Sequence, residues 1–297
     1  MRRLILQGQT FDMRFLESPA EMKAAEDLQR VVWPGSDVDV VPDHVLLTAA
    51  HNGGVVLGAW HEESSTLAGF LFGFPCMEET ANGWVFKHCS HQMGVLSAFR
   101  GLGLGFYLKR AQWQWVRHQG LPRITWTYDP LLSRNAHLNI RKLGAVCNTY
   151  LREVYGEMRD GLNAGLPSDR FQVDWWVDSP RVVRRLQSEM PHPLDLAHYL
   201  SAGARIFNPS AKGEGDDPMP MPPPAAPEGD LLLVEIPPDF QAMRARDRDL
   251  ALRWRLHTRE IFEMLFARGY LITDFVHLPA PAPRSFYVLA HGEATLG

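Results

Sequence analysis

The stretch "MGVLSAFRGLGLGF", residues 93–106, passes from an apolar run into glycines at alternate positions, Gly101, Gly103 and Gly105. The segment after it, "YLKRAQWQWVRHQG", carries Trp113 and Val116, which with Phe106 form a partial apolar stripe. The spacing predicts a strand, a glycine turn and a helix over residues 103–119. A helix start presents N–H groups without partners and the positive end of the dipole. Glycines there let a phosphate approach the backbone. A tight strand-to-helix turn that holds no ligand is the plain alternative. A phosphate loop of the GxxxxGK[ST] kind is excluded, because no Lys-Ser or Lys-Thr follows. A dinucleotide fingerprint needs GxGxxG and an acid about 20 residues on, and "GLGLGF" has the wrong spacing. What remains is Arg100-x-x-Gly103-x-Gly105 at the end of a strand.

Working outward, the N-terminal half alternates strand and helix patterns. "FDMRFLES" alternates apolar and polar residues as a half-buried strand does. "SPAEMKAAEDLQRVVW" has a Ser cap and Pro at the first helical position. "GVVLGAWHE" and "TLAGFLFGFP" form a hairpin across "EESS", and "GWVFKHCSHQMGVL" is extended. "RITWTYDP" reads as a strand, "LSRNAHLNIRKLG" as a helix stopping at Gly144, and "AVCNTYLREVYG" and "RFQVDWWVD" as strands. Residues 208–230, "NPSAKGEGDDPMPMPPPAAPEGD", have no hydrophobic period and many prolines, which predicts a linker outside any helix or sheet interior. Beyond it come a strand "LLLVEIP", one long helix from Phe240 to Ala267, and two further strands, a β-α-β-β order.

The set resembles the GNAT acyltransferase superfamily. The carrying residues are Arg100, Gly103 and Gly105 in the loop, Met93 and Val95 in the strand before it, and "NAHLNIRKLGA" downstream, with Lys142, Leu143 and Gly144 followed by Ala145 where that family usually has Phe. The resemblance spans about 170 residues from Phe11 to Asp178. It implies an α/β (α+β) fold: a mixed, mostly antiparallel twisted sheet flanked by helices. In this reading residues 1–178 are the acyl-CoA-binding catalytic domain, 179–207 a connecting helical region, 208–230 the linker and 231–297 a β-α-β-β extension. It also implies that acetyl-CoA or another acyl-CoA is the donor. Its pantetheine arm would lie along the backbone near Met93, Gly94 and Val95, and its pyrophosphate on Arg100, Gly101, Leu102, Gly103, Leu104 and Gly105. Asn135 and Asn139 are the cofactor contacts expected from the downstream helix. The whole arrangement, including "VEIPPDF" and "WRLHTREIFEMLFARGY", is similar to a poorly characterised two-part subgroup, connected with N-acylation of amino acids and with succinyl-CoA as donor.

Acyl transfer to an amine needs a base for the amine proton and tolerates a weak acid for the thiolate. His91, four residues before Val95, matches a histidine in an arylalkylamine-directed branch of the superfamily and is the candidate base; a structurally bonded histidine is its plain alternative. His88 should point to the opposite face. Family members often carry a tyrosine four residues before the glycine of the KLG tag, and here that residue is Ile140, so the acid role has no direct heir. Asp129, at a strand end, is a second catalytic candidate as a holder of an ammonium group. Arg170, in "GLPSDRFQVDWW", is the candidate grip on a substrate carboxylate.

Composition sets the outer bounds. A formal net charge of -4 gives no global positive field for nucleic acid, and the arginines of residues 240–270 are interleaved with acids as on a solvated face. Three scattered cysteines form no CxxC pair and no disulfide framework, and no cluster suggests a metal. Neither a signal-peptide core nor a membrane span is present in the pattern, and the expectation is a cytoplasmic protein without membrane partners. The expected partner is a small-molecule amine or amino acid. The apolar strands after residue 230 have three uses open to them: extending the sheet, covering the acceptor site, or forming a homodimer contact. A catalytically silent acyl-CoA-binding module is the alternative to an enzyme.

Overall fold

Strand alternation in the first half of the chain becomes a meander in which neighbours in sequence are neighbours in space. The computed structural model describes residues 2–35, 37–156, 166–187, 194–213, 217–223 and 226–292. Two compact units emerge: residues up to Trp126 with Trp176–Asp178, and the described residues from Thr127 onward apart from those three.

In the first unit β1 (Arg2–Leu6), β2 (Gln9–Phe15), β3 (Val55–His61), β4 (Thr66–Thr80) and β5 (Gly83–Val95) pair antiparallel in that order. β6 (Arg123–Tyr128) follows β5 in parallel, and its last two residues belong to the second unit. α1 (Pro19–Val32) and α2 (Asp43–His51) connect β2 to β3, and α3 (Leu104–His118) connects β5 to β6. α1 begins as its sequence requires: Ser18 accepts from the Glu21 amide, and Glu21 reaches back to the Ser18 amide, a complete capping box. The sheet buries both faces. One packs Phe11, Leu57 and Leu71 against Leu104 and Leu108 of α3, and the other packs Val56, Phe70 and Phe72 against Met22, Ala25 and Leu28 of α1. Two elements escaped the sequence reading. β1 is five residues long, with Leu4 and Leu6 inward and Ile5 outward. α2 follows Pro42 and buries little beyond Leu46.

The second unit contains α4 (Ser133–Ala136), continued by a π-helical turn over His137–Lys142, then β7 (Val146–Leu151), β8 (Arg170–Trp176, whose final residue falls in the first unit), α5 (Pro180–Gln187), α6 (Leu196–Ser201) and β9 (Arg205–Ile206). β10 (Ser210–Lys212), β11 (Pro218–Pro220), β12 (Leu231–Ile236), α7 (Phe240–Arg246), α8 (Arg248–Ala267), β13 (Tyr270–Leu278) and β14 (Arg284–His291) complete it. Its sheet runs β8-β7-β13-β14-β12-β9, antiparallel except for the β12–β9 edge. The mixed, mostly antiparallel α/β character expected from the sequence is therefore present in both units.

Three expectations change. The boundary between compact units falls at Trp126, and the described residues of 208–230 belong to the second unit. Within those residues β10 and β11 form a small antiparallel ribbon, and the Pro218 carbonyl accepts from the Trp254 indole at 2.8 Å. Proline is tolerated there because both strands are edges. The long helix over 240–267 is two helices, because Asp247 leaves the helical conformation and caps α8 through the Leu250 amide at 2.8 Å.

Two of the four arginines of α8 turn inward, while Arg248 and Arg253 are exposed. Arg255 is 2% exposed and pairs with Asp129 at 2.6 Å, and Arg259 grips Asp169 with two bonds of 2.8 Å. A third buried pair joins Arg141 to Asp274 at 2.9 Å, and the same carboxylate accepts from the Tyr199 hydroxyl at 2.7 Å. Removing one partner of such a pair strands the other charge in low dielectric. Asp274→Ala should therefore destabilise the chain by about 3–5 kcal/mol, read as a lowered midpoint in urea unfolding.

Candidate functional site

The site is built where β5 loses a neighbour. Parallel pairing with β6 covers only His88 with Ile124 and Cys89 with Thr125. Ser90 and Gln92 to Val95 stay paired with β4 on the other side, while no further partner residues are matched across to β6 among the described residues. A strand edge in that condition exposes amides and carbonyls able to receive an extended ligand. Met93, Gly94 and Val95 lie on this edge. The Val95 carbonyl also accepts from Arg100 Nε at 3.1 Å, which folds the exposed arginine back over the strand end.

After Val95 the chain turns through a 3₁₀ segment at Ser97–Phe99 and enters α3. Gly101 and Gly103 have φ of +85° and +91°, a region that side-chain-bearing residues rarely adopt. Gly103 is the N-cap residue of α3, with no side-chain cap. The amides of Leu104 and Gly105 open the helix and have no carbonyl one turn earlier to bond. Leu104 contributes through its backbone, since its side chain is buried in the core; Leu102 is partly buried against the same cluster.

A bulge shapes the centre of β5. Phe72 of β4 opposes Gln92, and the next residue, Gly73, opposes Ser90, which leaves His91 as the extra residue. The bulge changes which face each residue takes. Ser90 and His88 point to α3, while His91 turns to the α1–α2 face, where its ring lies 5.7 Å from Phe72 and 6.0 Å from Phe74. The expected opposition of His88 and His91 is observed. His91 keeps an exposed side, and partial desolvation beside these rings lowers its pKa from the ordinary histidine value, which leaves it neutral at pH 7.

On the α3 face the buried row includes Lys109 and Gln112 among Leu108, Trp113 and Val116. Phe106 of the expected stripe is only half-buried. Lys109 Nζ donates to Ser90 Oγ at 2.7 Å and lies 3.6 Å from the centre of the Trp126 ring. Gln112 Nε2 donates to His88 Nε2 at 3.1 Å, and His88 Nδ1 is buried with no partner among the described residues. Gly73 makes room for this cluster, since a Cβ there would stand 2.4 Å from His88 Nε2. Burial, with the Lys109 charge in support, holds His88 down at about 3, and burial brings Lys109 down to about 7. Sequence reading passed over Lys109. Its one signal was a lysine at an inward position of a helix, between Leu108 and Gln112.

Four candidates lie in the second unit. Asp129 is buried, and its two oxygens are held by Arg255 and by the Leu131 amide at 2.9 Å. Arg170 is buried, donates to the Asp169 carbonyl at 2.9 Å and lies 5.2 Å from the centre of the Tyr155 ring. Asp129 and Arg170 are thus each bonded within the second unit. Asn139 is buried in the π-helical turn, where its carbonyl accepts from Ala145; Asn135 is half-buried at the start of the same segment. A groove of about 420 Å³ opens elsewhere in the first unit, between β2, β3 and the Tyr107–Trp115 side of α3. It lies away from the face that carries Lys109, and neither the glycine loop nor His91 lines it.

Among the described residues no helix is long and apolar enough to cross a membrane, and no group of three or more His, Cys, Asp or Glu is placed to hold a metal ion. No family model and no curated protein matches the sequence. Over part of its length the chain is similar to solved GNAT acetyltransferase structures. A putative GNAT-family acetyltransferase from Desulfovibrio desulfuricans is 15% identical, with a TM-score of 0.44 over 56% of this chain and 99% of that one. The ribosomal-protein-S5-alanine acetyltransferase from Vibrio fischeri is 12% identical, with a TM-score of 0.44 over 60% and 98%. The ribosomal-protein-S18-alanine N-acetyltransferase from Escherichia coli is 12% identical, with a TM-score of 0.41 over 62% and 98%.

The buried lysine makes a pH prediction. Between about pH 7 and the ordinary lysine value of 10.5, the unfolded chain keeps a proton on Lys109 that the folded chain has lost. Stability rises with pH where the unfolded state binds more protons. Unfolding free energy measured from pH 6 to 10 should therefore climb more steeply for the natural chain than for Lys109→Met.

Proposed function

We propose that the chain is an acyl-CoA-dependent N-acyltransferase that passes an acetyl or larger acyl group to a primary amine by direct attack. The observation that carries this reading is the continuity of one edge. β5 loses its parallel neighbour after Cys89, and the free edge leads within a few residues to the helix start of Leu104 and Gly105, with left-handed glycines at 101 and 103. An extended amide-bearing arm suits the strand edge, and a pyrophosphate suits the amides and dipole of α3. Coenzyme A has both parts in one molecule. Held this way, it would supply a thioester carbon open to nucleophilic attack.

In this reading the chain itself supplies position and proton handling. The amides of residues 101–105 hold the anionic end, with Arg100 beside them. The backbone of Met93, Gly94 and Val95 orients the arm. His91, bulged out of the strand and lowered in pKa by partial desolvation, accepts the proton released by the attacking amine. The acceptor is a small-molecule amine.

Thermal shift and calorimetry with acetyl-CoA, succinyl-CoA and NAD test the donor. A ligand at 100 times its Kd that binds only the folded chain adds about 2.7 kcal/mol of stability. Stabilisation by CoA esters and not by NAD is expected, and no response to any CoA ester would sink the proposal. Gly105, unlike Gly101 and Gly103, is not at positive φ, so a side chain is conformationally allowed there. Gly105→Asp places a carboxylate in the first turn, which suits the helix dipole but repels phosphate. CoA affinity should fall at least about tenfold, or roughly 1.4 kcal/mol, with the melting temperature kept. His91→Ala should lower kcat by about 10²-fold and remove the loss of rate on acidification through the depressed histidine pKa. CoA binding without turnover on a panel of amines and amino acids would favour a silent binding module instead.

A further inference from the structure

We propose that Ser90 and Lys109 form a proton-delivery pair for the departing thiolate, an inference that rests on the acyl-transfer reading above. Lys109 is 2% exposed in the middle of the inward face of α3. Buried charges normally come with an opposite charge. None of the ion pairs among the described residues includes Lys109, and its interactions are with a hydroxyl and an indole face. The titratable groups near it are the Cys89 thiol and the His88 imidazole, both on β5; β6 brings Trp126, and α3 brings Gln112, whose amide is spent on His88. Neither neighbour supplies a fixed negative charge. A methionine would fill the space at lower cost, so packing alone does not account for an amine here.

Its position does account for it. Ser90 is the residue after Cys89, and Trp126 the residue after Thr125, so the pair sits at the fork where β5 and β6 stop pairing. Lys109 is five residues beyond Leu104, ~7.5 Å along the helix axis, and helical side chains lean toward the N-terminus. A ligand with its anionic end on residues 101–105 and its arm along the free edge of β5 brings its far end to Ser90. His91 is the next residue, turned to the other face by the bulge. Base and acid therefore flank the same edge from opposite sides of the sheet.

The step balances. The amine nitrogen attacks the thioester carbon, the N–C bond forms and the C–S bond breaks. The amine proton passes to His91. The sulfur takes the proton of Ser90 Oγ, which is refilled from Lys109 Nζ, giving amide and free thiol. Solvent then removes the proton from His91 and restores one to Lys109. Ser90 touches the leaving atom, and Lys109 is a positioning residue that acts through it. A lysine brought by burial to about 7 can cycle its proton at neutral pH. The role that Ile140 leaves open is filled from α3.

The test measures CoA affinity by calorimetry, and kcat and KM from pH 5.5 to 9.5, for the natural chain and for Lys109→Met, Lys109→Arg, Ser90→Ala and Ser90→Thr. CoA affinity should stay within about threefold throughout. At pH 7, kcat should fall about 10- to 100-fold in Lys109→Met, Lys109→Arg and Ser90→Ala with KM for acyl-CoA nearly unchanged, and Ser90→Thr should recover most of it. The natural chain should lose rate above about pH 7, and that limb should be absent from both lysine variants. Arginine keeps the charge but does not release its proton, which separates proton delivery from simple charge. If the lysine variants fail to fold, the contrast between Ser90→Ala and Ser90→Thr decides. Variants that bind CoA and keep the natural kcat and alkaline limb overturn this inference alone. A natural chain that binds no CoA, or binds it without turnover, overturns the acyl-transfer reading and this inference with it.

Discussion

Two matched residue pairs, His88 with Ile124 and Cys89 with Thr125, hold β5 to β6, and the candidate site follows from the pairing stopping there. Parallel strands need a long crossover, and α3 is that crossover. Because it must start at the open end of β5, its positive end and free amides fall next to the free edge. The glycines complete the turn, since the chain reverses between Val95 and Leu104 through left-handed residues. One interrupted ladder thus leaves a free strand edge, a helix start with unbonded amides and a fork with buried polar groups.

The bulge at His91 is the second constraint, and it acts through the period of two along a strand. Without it, Ser90 and Gln92 would share a face. With it, the residues up to Ser90 keep their register toward α3 while His91 turns toward Phe72 and Phe74. Gly73 sits opposite Ser90, and its missing side chain lets His88 and Gln112 meet. Polar groups would be costly in this layer if unmatched. Ser90 bonds Lys109 and Gln112 bonds His88, and Lys109 is the member whose charge has no opposite.

In the second unit, charge is used for architecture. Arg255, Arg259 and Arg141 each reach a buried carboxylate far away in sequence, at Asp129, Asp169 and Asp274. Around them Phe171 packs edge-on to Phe262 at 4.7 Å and to Tyr287 at 5.5 Å. The first of these pairs holds Asp129 within its own unit.

The sequence by itself determined the local features: the capped start of α1, the hairpin of β3 and β4, the glycine turn after β5 and the helix behind it. Each rests on short-range rules, namely side-chain period, caps and the φ freedom of glycine, which a string of residues displays directly. Tertiary structure decided what depends on register and on distant partners. The bulge that turns His91, the two-residue pairing that frees the edge of β5, the break at Asp247, the ribbon within residues 208–230 and the meeting of Lys109 with Ser90 all arise between segments. The interleaved charges of α8 read as a solvated face because the sequence shows spacing but not burial. Only packing showed that Arg255 and Arg259 had partners more than 80 residues away.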